Sequence, residues 1–267
     1  MSAARLIHRP ALALMLAVSL VASASTALAQ AQKSPAAYEP KSGQEGKDVV
    51  WVPTPQALVD KMLDMAKMTP ADFIIDLGSG DGRTVVTAAK RGARALGIEY
   101  NPDMVALSKR NAEKEGVSDR ASFVKADLFE TDFSRADVIT MFLLPEINLR
   151  LRPKLLALKP GTRIVSNSFT MGEWTADETA NVNSDAGCNS SWCTALLWIV
   201  PARVAGTHKV SHGELILKQE FQMLSGTLAT GGKTFVLEGK VSGEEITFKA
   251  GGREYRGRMN GTQLELR

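Results

Sequence analysis

The 267-residue chain is short of cysteine, histidine and aromatic residues: two Cys, three His, and only 6% Phe, Trp and Tyr together. Two cysteines cannot build a disulfide-dense scaffold. The formal net charge of +3 is too small to argue by itself for a nucleic-acid partner. Beyond residue 30 no apolar run approaches the roughly 20 residues that a membrane-spanning helix needs. Proline (11) and glycine (22) stand at ordinary levels, which excludes collagen-like and low-complexity chains. What is there, 44% hydrophobic and 23% charged residues, is the composition of a globular chain of one or two domains with a sizeable core.

The first 29 residues read as a leader. Arg5, His8 and Arg9 precede the apolar block ALALMLAVSLVA (11–22), and Ala27-Leu28-Ala29 is a small-x-small cleavage site. That order describes a secretory signal peptide cleaved after Ala29, so a periplasmic destination is expected. An uncleaved anchor and a mitochondrial presequence are the alternatives; no acidic residue occurs before Glu39. Residues 30–48 are polar and aperiodic, with Pro35, Pro40 and Gly43, and read as a linker.

Two textures follow. From 49 to 203, apolar runs (FIIDL 73–77, ARALGIE 93–99, ASFVKAD 121–127, DVITMFLL 137–144, TRIVSNSF 162–169) alternate with stretches of helical spacing. Alternating β and α predicts a parallel sheet with helices on both faces, an α/β fold. A helix is also expected before the first strand, with apolar residues at 58, 62, 65 and 68, capped by Thr54 with Pro55 at its first position. From 204 to 267, LILKQEF, KTFVLEGKV, EITFKA, REYRGRM and QLELR alternate apolar and polar residues between TGGK, SGEE, AGGR and NGTQ turns. This predicts an antiparallel β meander appended to the first domain. Glycan binding by the meander finds no support, since it has no aromatic cluster.

The segment FIIDLGSGDGR (73–83) carries the chemistry: a strand ending in Asp76, then Gly78, Ser79, Gly80 and Gly82, then a helix. Glycines let the chain turn sharply and let a ligand approach the backbone. Such a ligand lies at the carboxyl edge of the sheet, where strand order reverses. The second strand ends in Glu99, whose carboxylate can accept two hydrogen bonds from a ribose diol. The third ends at Asp127, placed to read an adenine edge. A nicotinamide dinucleotide needs G-x-G-x-x-G for its pyrophosphate, and the spacing here is Asp-x-Gly-x-Gly-x-Gly.

This order of strand, glycines and two strand-end acids resembles motif I and its successors in the class I S-adenosylmethionine-dependent methyltransferases. The resemblance implies a Rossmann-like fold and S-adenosylmethionine as cofactor, with Asp76, Gly78, Ser79 and Gly80 beside its methionine part, Glu99 on the ribose and Asp127 near adenine. More narrowly, VWVPTP (50–55), DLGSGDGR and MFLLPEINLRLRPKL are similar to a bacterial group related to the mitochondrial lysine methyltransferases of the ATP-synthase c-subunit type. That likeness covers roughly 49–200. It implies that Val52 and Thr54 contact the cofactor and that the acceptor is a protein lysine. A small-molecule acceptor and a non-catalytic nucleoside-binding scaffold are the alternatives; no nucleic-acid partner is expected.

At the end of the fourth strand, where this family faces the transferred methyl, stand Glu146 and Asn148, the candidate catalytic residues; the plain alternative is a capped helix start. The Asn-Pro-Pro-Tyr motif with which other families align an amine is absent. Cys188 and Cys193 either pair in an oxidising compartment, remain thiols, or join His208 and His212 in a superficial zinc pattern that proline and glycine interrupt; no metal is expected. Trp174 and Trp192 are candidate pocket walls, while Trp198 suits the core. Oligomeric state and the role of the meander stay open.

Overall fold

The structure, a computed structural model, describes residues 38–211 and 213–267. The leader and residues 30–37 of the expected linker lie outside the described residues. The five apolar runs form β1 (Phe73–Leu77), β2 (Arg94–Glu99), β3 (Ala121–Lys125), β4 (Val138–Met141) and β5 (Arg163–Asn167), all parallel. Two further strands, β6 (Glu178–Asn181) and β7 (Thr194–Ile199), complete a seven-stranded sheet in the order β3-β2-β1-β4-β5-β7-β6, with β7 antiparallel to both neighbours. Four residues with one half-buried position mark β6, too weak a pattern to read from sequence.

The helices are α1 (Gln56–Met65), α2 (Arg83–Lys90), α3 (Pro102–Lys114) and α4 (Pro145–Leu156). Alternate strand residues face two separate cores. Ile74, Val138, Val165 and Leu197 pack with α1, α2 and α3. Ile75, Ile139, Ile164 and Trp198 pack with α4 and with Phe133, Met171 and Trp174 from irregular connections. Both faces are covered, but three described helices lie on one and a single helix on the other. Central strands buried on both sides read as continuous apolar runs, which is why they are visible in the sequence.

Thr54 does not cap α1. Pro55 occupies the flanking position without a side-chain cap, and Thr54 is buried, its hydroxyl 3.4 Å from the Asn167 amide and its carbonyl accepting from Arg83 Nη1 at 2.9 Å. Tertiary partners on β5 and α2 outcompete the local cap.

The remainder is a second seven-stranded sheet: β8 (Gly206–Val210), β9 (Gly213–Glu220), β10 (Met223–Thr230), β11 (Lys233–Ser242), β12 (Glu245–Ala250), β13 (Arg253–Asn260) and β14 (Gln263–Leu266), each pairing with the next. β8 and β10 are not legible in the sequence, because both lack clean alternation. The β10–β11 turn, Gly231-Gly232, has φ of +56° and +73°, the left-handed pair that a two-residue hairpin demands. The sheet curls until its end strands β8 and β14 touch. Its inner face buries Leu215, Leu228, Leu237, Ile246 and Phe248.

Residues 38–267 form one compact unit, in which the meander is docked on the first sheet's domain. Phe221, at φ +51° in the β9–β10 turn, stacks on the buried Trp174 (6.2 Å between centroids, 12° between planes). Gln222 donates to the Thr175 carbonyl at 2.6 Å, and Lys240 pairs with Asp177 at 2.6 Å.

Candidate active site

A cavity lies at the carboxyl edge of the parallel sheet, at the β1–β4 reversal. Its walls include Val52, Thr54, Asp76, Gly78, Ser79, Gly80, Glu99 and Asp127 together. Gly78 and Gly80 have φ of +74° and +53°, a backbone that residues with a Cβ adopt only at a cost of roughly 1–2 kcal/mol. The elbow is also packed tightly from outside: a Cβ on Gly80 would lie 2.5 Å from the Trp51 indole nitrogen. The Gly78 and Ser79 N–H groups both donate to the Ile98 carbonyl, which fixes the elbow against β2. Ser79 itself lies against Gly97, its buried hydroxyl without a partner among the described residues.

Glu99 is half-buried and serves the elbow directly. Its Oε2 accepts from Gly80 N–H at 2.9 Å and its Oε1 from Asn101 N–H at 2.8 Å. Each carboxylate oxygen keeps a second lone pair for a ligand hydroxyl. Asp76 is 6% exposed, and its carboxylate accepts a 2.6 Å hydrogen bond from Thr140. No cation pairs with it among the described residues. Burial pushes its pKa up to about 7, the Thr140 hydrogen bond opposes this, and Asp81 and Glu99 add repulsion. A ligand that brings positive charge would relieve this buried carboxylate. S-adenosylmethionine, with an ammonium and a sulfonium on its methionine part, fits such a site.

Asp127 is held by Phe129 N–H at 2.9 Å and by an ion pair with Lys47; the Lys47 hydrogen bond foremost holds its carboxyl below the usual range. Lys47 also lies 4.7 Å from the centre of the Tyr100 ring. Residues 38–48 are therefore more than a linker. Glu45 bridges Val50, Gly43 N–H donates to the Trp51 carbonyl at 2.7 Å, and residues 44–54 line the cavity. Sequence reasoning misses Lys47 and Trp51; a tryptophan and a lysine at the end of a polar stretch give no periodicity to follow.

The two catalytic candidates do not reach the cavity. Glu146 is exposed on the first turn of α4. Asn148 is fully buried, its Nδ2 donating to the carbonyls of Phe169 (3.3 Å) and Thr170 (3.1 Å). The rotation of α4 against the sheet turns Ile147, not its neighbours, toward the cavity. The side chains at this end of the site are instead Phe142, Leu143, Leu144, Phe169 and Trp192. Trp174 and Trp198 are both in the core, the Trp198 indole donating to the Trp174 carbonyl at 2.7 Å. Cys188 and Cys193 are joined as a disulfide, which removes both sulfurs from the zinc pattern.

Residues 76–178 match the family model described as the ANTKMT methyltransferase domain. A protein-lysine N-methyltransferase from Saccharolobus islandicus is 43% identical over 164 residues, covering 60% of this chain and 96% of that protein. The human lysine N-methyltransferase named for the ATP-synthase c-subunit is 33% identical over 136 residues; the match covers 51% of this chain and 58% of the human enzyme. Among solved structures, an RNA methyltransferase from Salinibacter ruber in complex with S-adenosyl-L-homocysteine is 43% identical, covers 57% of this chain and 96% of that one, and superposes with a TM-score of 0.53. With strand order, glycine elbow and strand-end acids of this type in place, the chain belongs to the ANTKMT-type family of S-adenosylmethionine-dependent methyltransferases.

Proposed function

We propose that this methyltransferase N-methylates a lysine side chain of a protein by direct in-line transfer. The observation that carries the reading is the charge of the cavity: Glu45, Asp48, Asp76, Asp81, Glu99 and Asp127 line it against only Lys47 and Arg83. The two cations pair most closely with Asp127 and Asp81, which leaves Glu45, Asp48, Asp76 and Glu99 as the excess acids of the lining. Such a lining attracts an ammonium and repels a phosphate backbone, whose binding depends on basic side chains. The lysine-modifying relatives point the same way.

When bound, the cofactor supplies a sulfonium methyl that is already electrophilic. Gly78, Gly80 and Asp76 would hold its methionine part, Glu99 its ribose hydroxyls, and Asp127 with the arm around Val52 and Thr54 its base. The remaining task is to hold the acceptor nitrogen in line, about 3 Å from the methyl carbon, and to exclude water. An ammonium must first lose its proton. The apolar side chains Leu143 and Ile147 favour the neutral amine by desolvation.

A second reading, an RNA acceptor, draws on the name of the Salinibacter relative. Labelled cofactor added to a cell-envelope extract separates the two. The proposal expects label in protein, removed by protease, and recovered as methyl-lysine after hydrolysis. Label removed by ribonuclease, or found only among small molecules, overturns it.

The same proposal sends the chain out of the cytosol, on the strength of the leader at 1–29, with the Cys188–Cys193 disulfide as support for an oxidising compartment. Sequencing the amino terminus of the protein from a periplasmic fraction tests this; it should begin at Gln30.

A further inference from the structure

We propose that Phe142, Phe169 and Trp192 form the acceptor mouth of this site, built to receive an alkylammonium side chain, and that the Cys188–Cys193 disulfide holds Trp192 there. The inference deepens the lysine reading and rests on it.

The three rings come from different parts of the chain but from one edge of the sheet. Phe142 follows β4 and Phe169 follows β5. Trp192 precedes β7, which runs antiparallel to β5 with Asn167 opposite Ala195, so its start lies beside the end of β5. Glu99 and Asp127, at the ends of β2 and β3, lie on the other side of the strand reversal. The cavity is thus divided, with strand-end acids on one flank and aromatic rings on the other. The joint is the elbow itself: a Cβ on Gly78 would meet the Leu143 side chain at 3.0 Å, which puts the segment after β4 directly against the glycines.

The rings form a continuous wall. Phe142 stacks with Phe169 at 5.9 Å and 20°, and Trp192 tilts against Phe142 at 6.0 Å and 59°. Two of them are held from behind. Asn148 Nδ2 and Ser166 Oγ both donate to the Phe169 carbonyl, at 3.3 and 2.8 Å. This gives Asn148 a positioning role in place of a catalytic one. Trp192 sits inside the six-residue loop that the disulfide closes, with its N–H donating to Ser190 Oγ at 3.1 Å. Cys188 is buried in the core that packs around α1, which ties the loop to the body of the domain.

Trp192 is 37% exposed, and Phe142 and Phe169 beside it are half-buried, so the wall is open to solvent at its rim. Aromatic faces attract ammonium groups, tryptophan most of all. A hydrated ammonium would meet Trp192 at the mouth and shed water further in, against Leu143.

The test is a titration with Nα-acetyl-Nε-trimethyllysine methylamide and with its neutral carbon isostere, in saturating S-adenosylhomocysteine. The readout is the indole N–H resonance of Trp192, assigned by its loss in Trp192→Phe. The cation should shift that resonance and bind about tenfold more tightly than the isostere. Trp192→Ala should abolish the preference, Trp192→Phe should keep most of it, and Cys188→Ser with Cys193→Ser should weaken cation binding several-fold. S-adenosylhomocysteine affinity, by calorimetry, should be unchanged in all three. Equal binding of cation and isostere, or no shift with either, overturns the ammonium mouth. An unchanged double serine variant overturns the role of the disulfide. Loss of S-adenosylhomocysteine binding in the unaltered protein would instead strike at the methyltransferase site, which keeps the two failures distinct.

Discussion

Among the described residues there are two sheets of seven strands, and the candidate site lies at the edge of the first. In the mixed sheet the parallel strands must return by crossovers, so every β-to-α connection emerges at the same carboxyl edge. There Asp76, Glu99 and Asp127 converge, each from a different strand end. In the meander, hairpins of two residues close the connections from β9 to β14, and among these described residues no loop is long enough to fold over a ligand. The mixed sheet gathers polar side chains because its topology gathers loops. The meander buries a single apolar face, and its β9–β10 turn docks it on Trp174 and Thr175.

Several substitutions sharpen or break this contrast. The largest effect should come from Phe248→Ala, which empties the meander core of a fully packed ring stacked on Tyr255. A stability loss of about 3–5 kcal/mol in denaturant unfolding is expected, with S-adenosylhomocysteine affinity of the folded protein unchanged. Lost affinity would mean that the meander supports the site. Gly80→Val should do the reverse. The left-handed backbone and the collision with Trp51 should lower cofactor affinity by about 3 kcal/mol, roughly a hundredfold, in calorimetry.

Glu99→Ala should weaken cofactor binding by about 1.5–3 kcal/mol, since the ribose partner and the clamp on Gly80 N–H go together. Unchanged affinity would remove Glu99 from the ribose site.

The smallest effect concerns pH. Asp76 binds its proton more tightly folded than unfolded, with a pKa of about 7 against an ordinary 3.8. Between those values the folded state carries the extra proton, so stability falls as pH rises. The unliganded protein should lose about 1 kcal/mol from roughly pH 6 to 7, and Asp76→Asn should flatten that slope. Because a cationic ligand favours the carboxylate, its binding should release a proton in the same range, measurable by calorimetry in buffers of different ionisation enthalpy. A slope that survives in Asp76→Asn would assign the titration elsewhere.

Legibility follows the same division. The strands β1 to β5 and the residues of the elbow can be read because their signals are local: an apolar run, a glycine that permits positive φ, an acid at a strand end. The arm at 38–54 reads in part as a linker because its structure comes from contacts with Asp127 and Gly80, both distant in sequence. The family resemblance, with their place after the fourth strand, suggests Glu146 and Asn148 for the site. Only the rotation of α4 decides which side chain of a first helical turn faces a cavity, and it selects Ile147.

By itself the amino-acid sequence determined the order of elements, the hairpin turns and the acids that end β2 and β3, because backbone conformation and apolar period act between near neighbours. Tertiary structure alone decided that the arm lies over the elbow, that three aromatic rings from three connections share a wall, and that Phe221 anchors the meander on Trp174. Those contacts join residues tens of positions apart, and their geometry is set by how the layers pack.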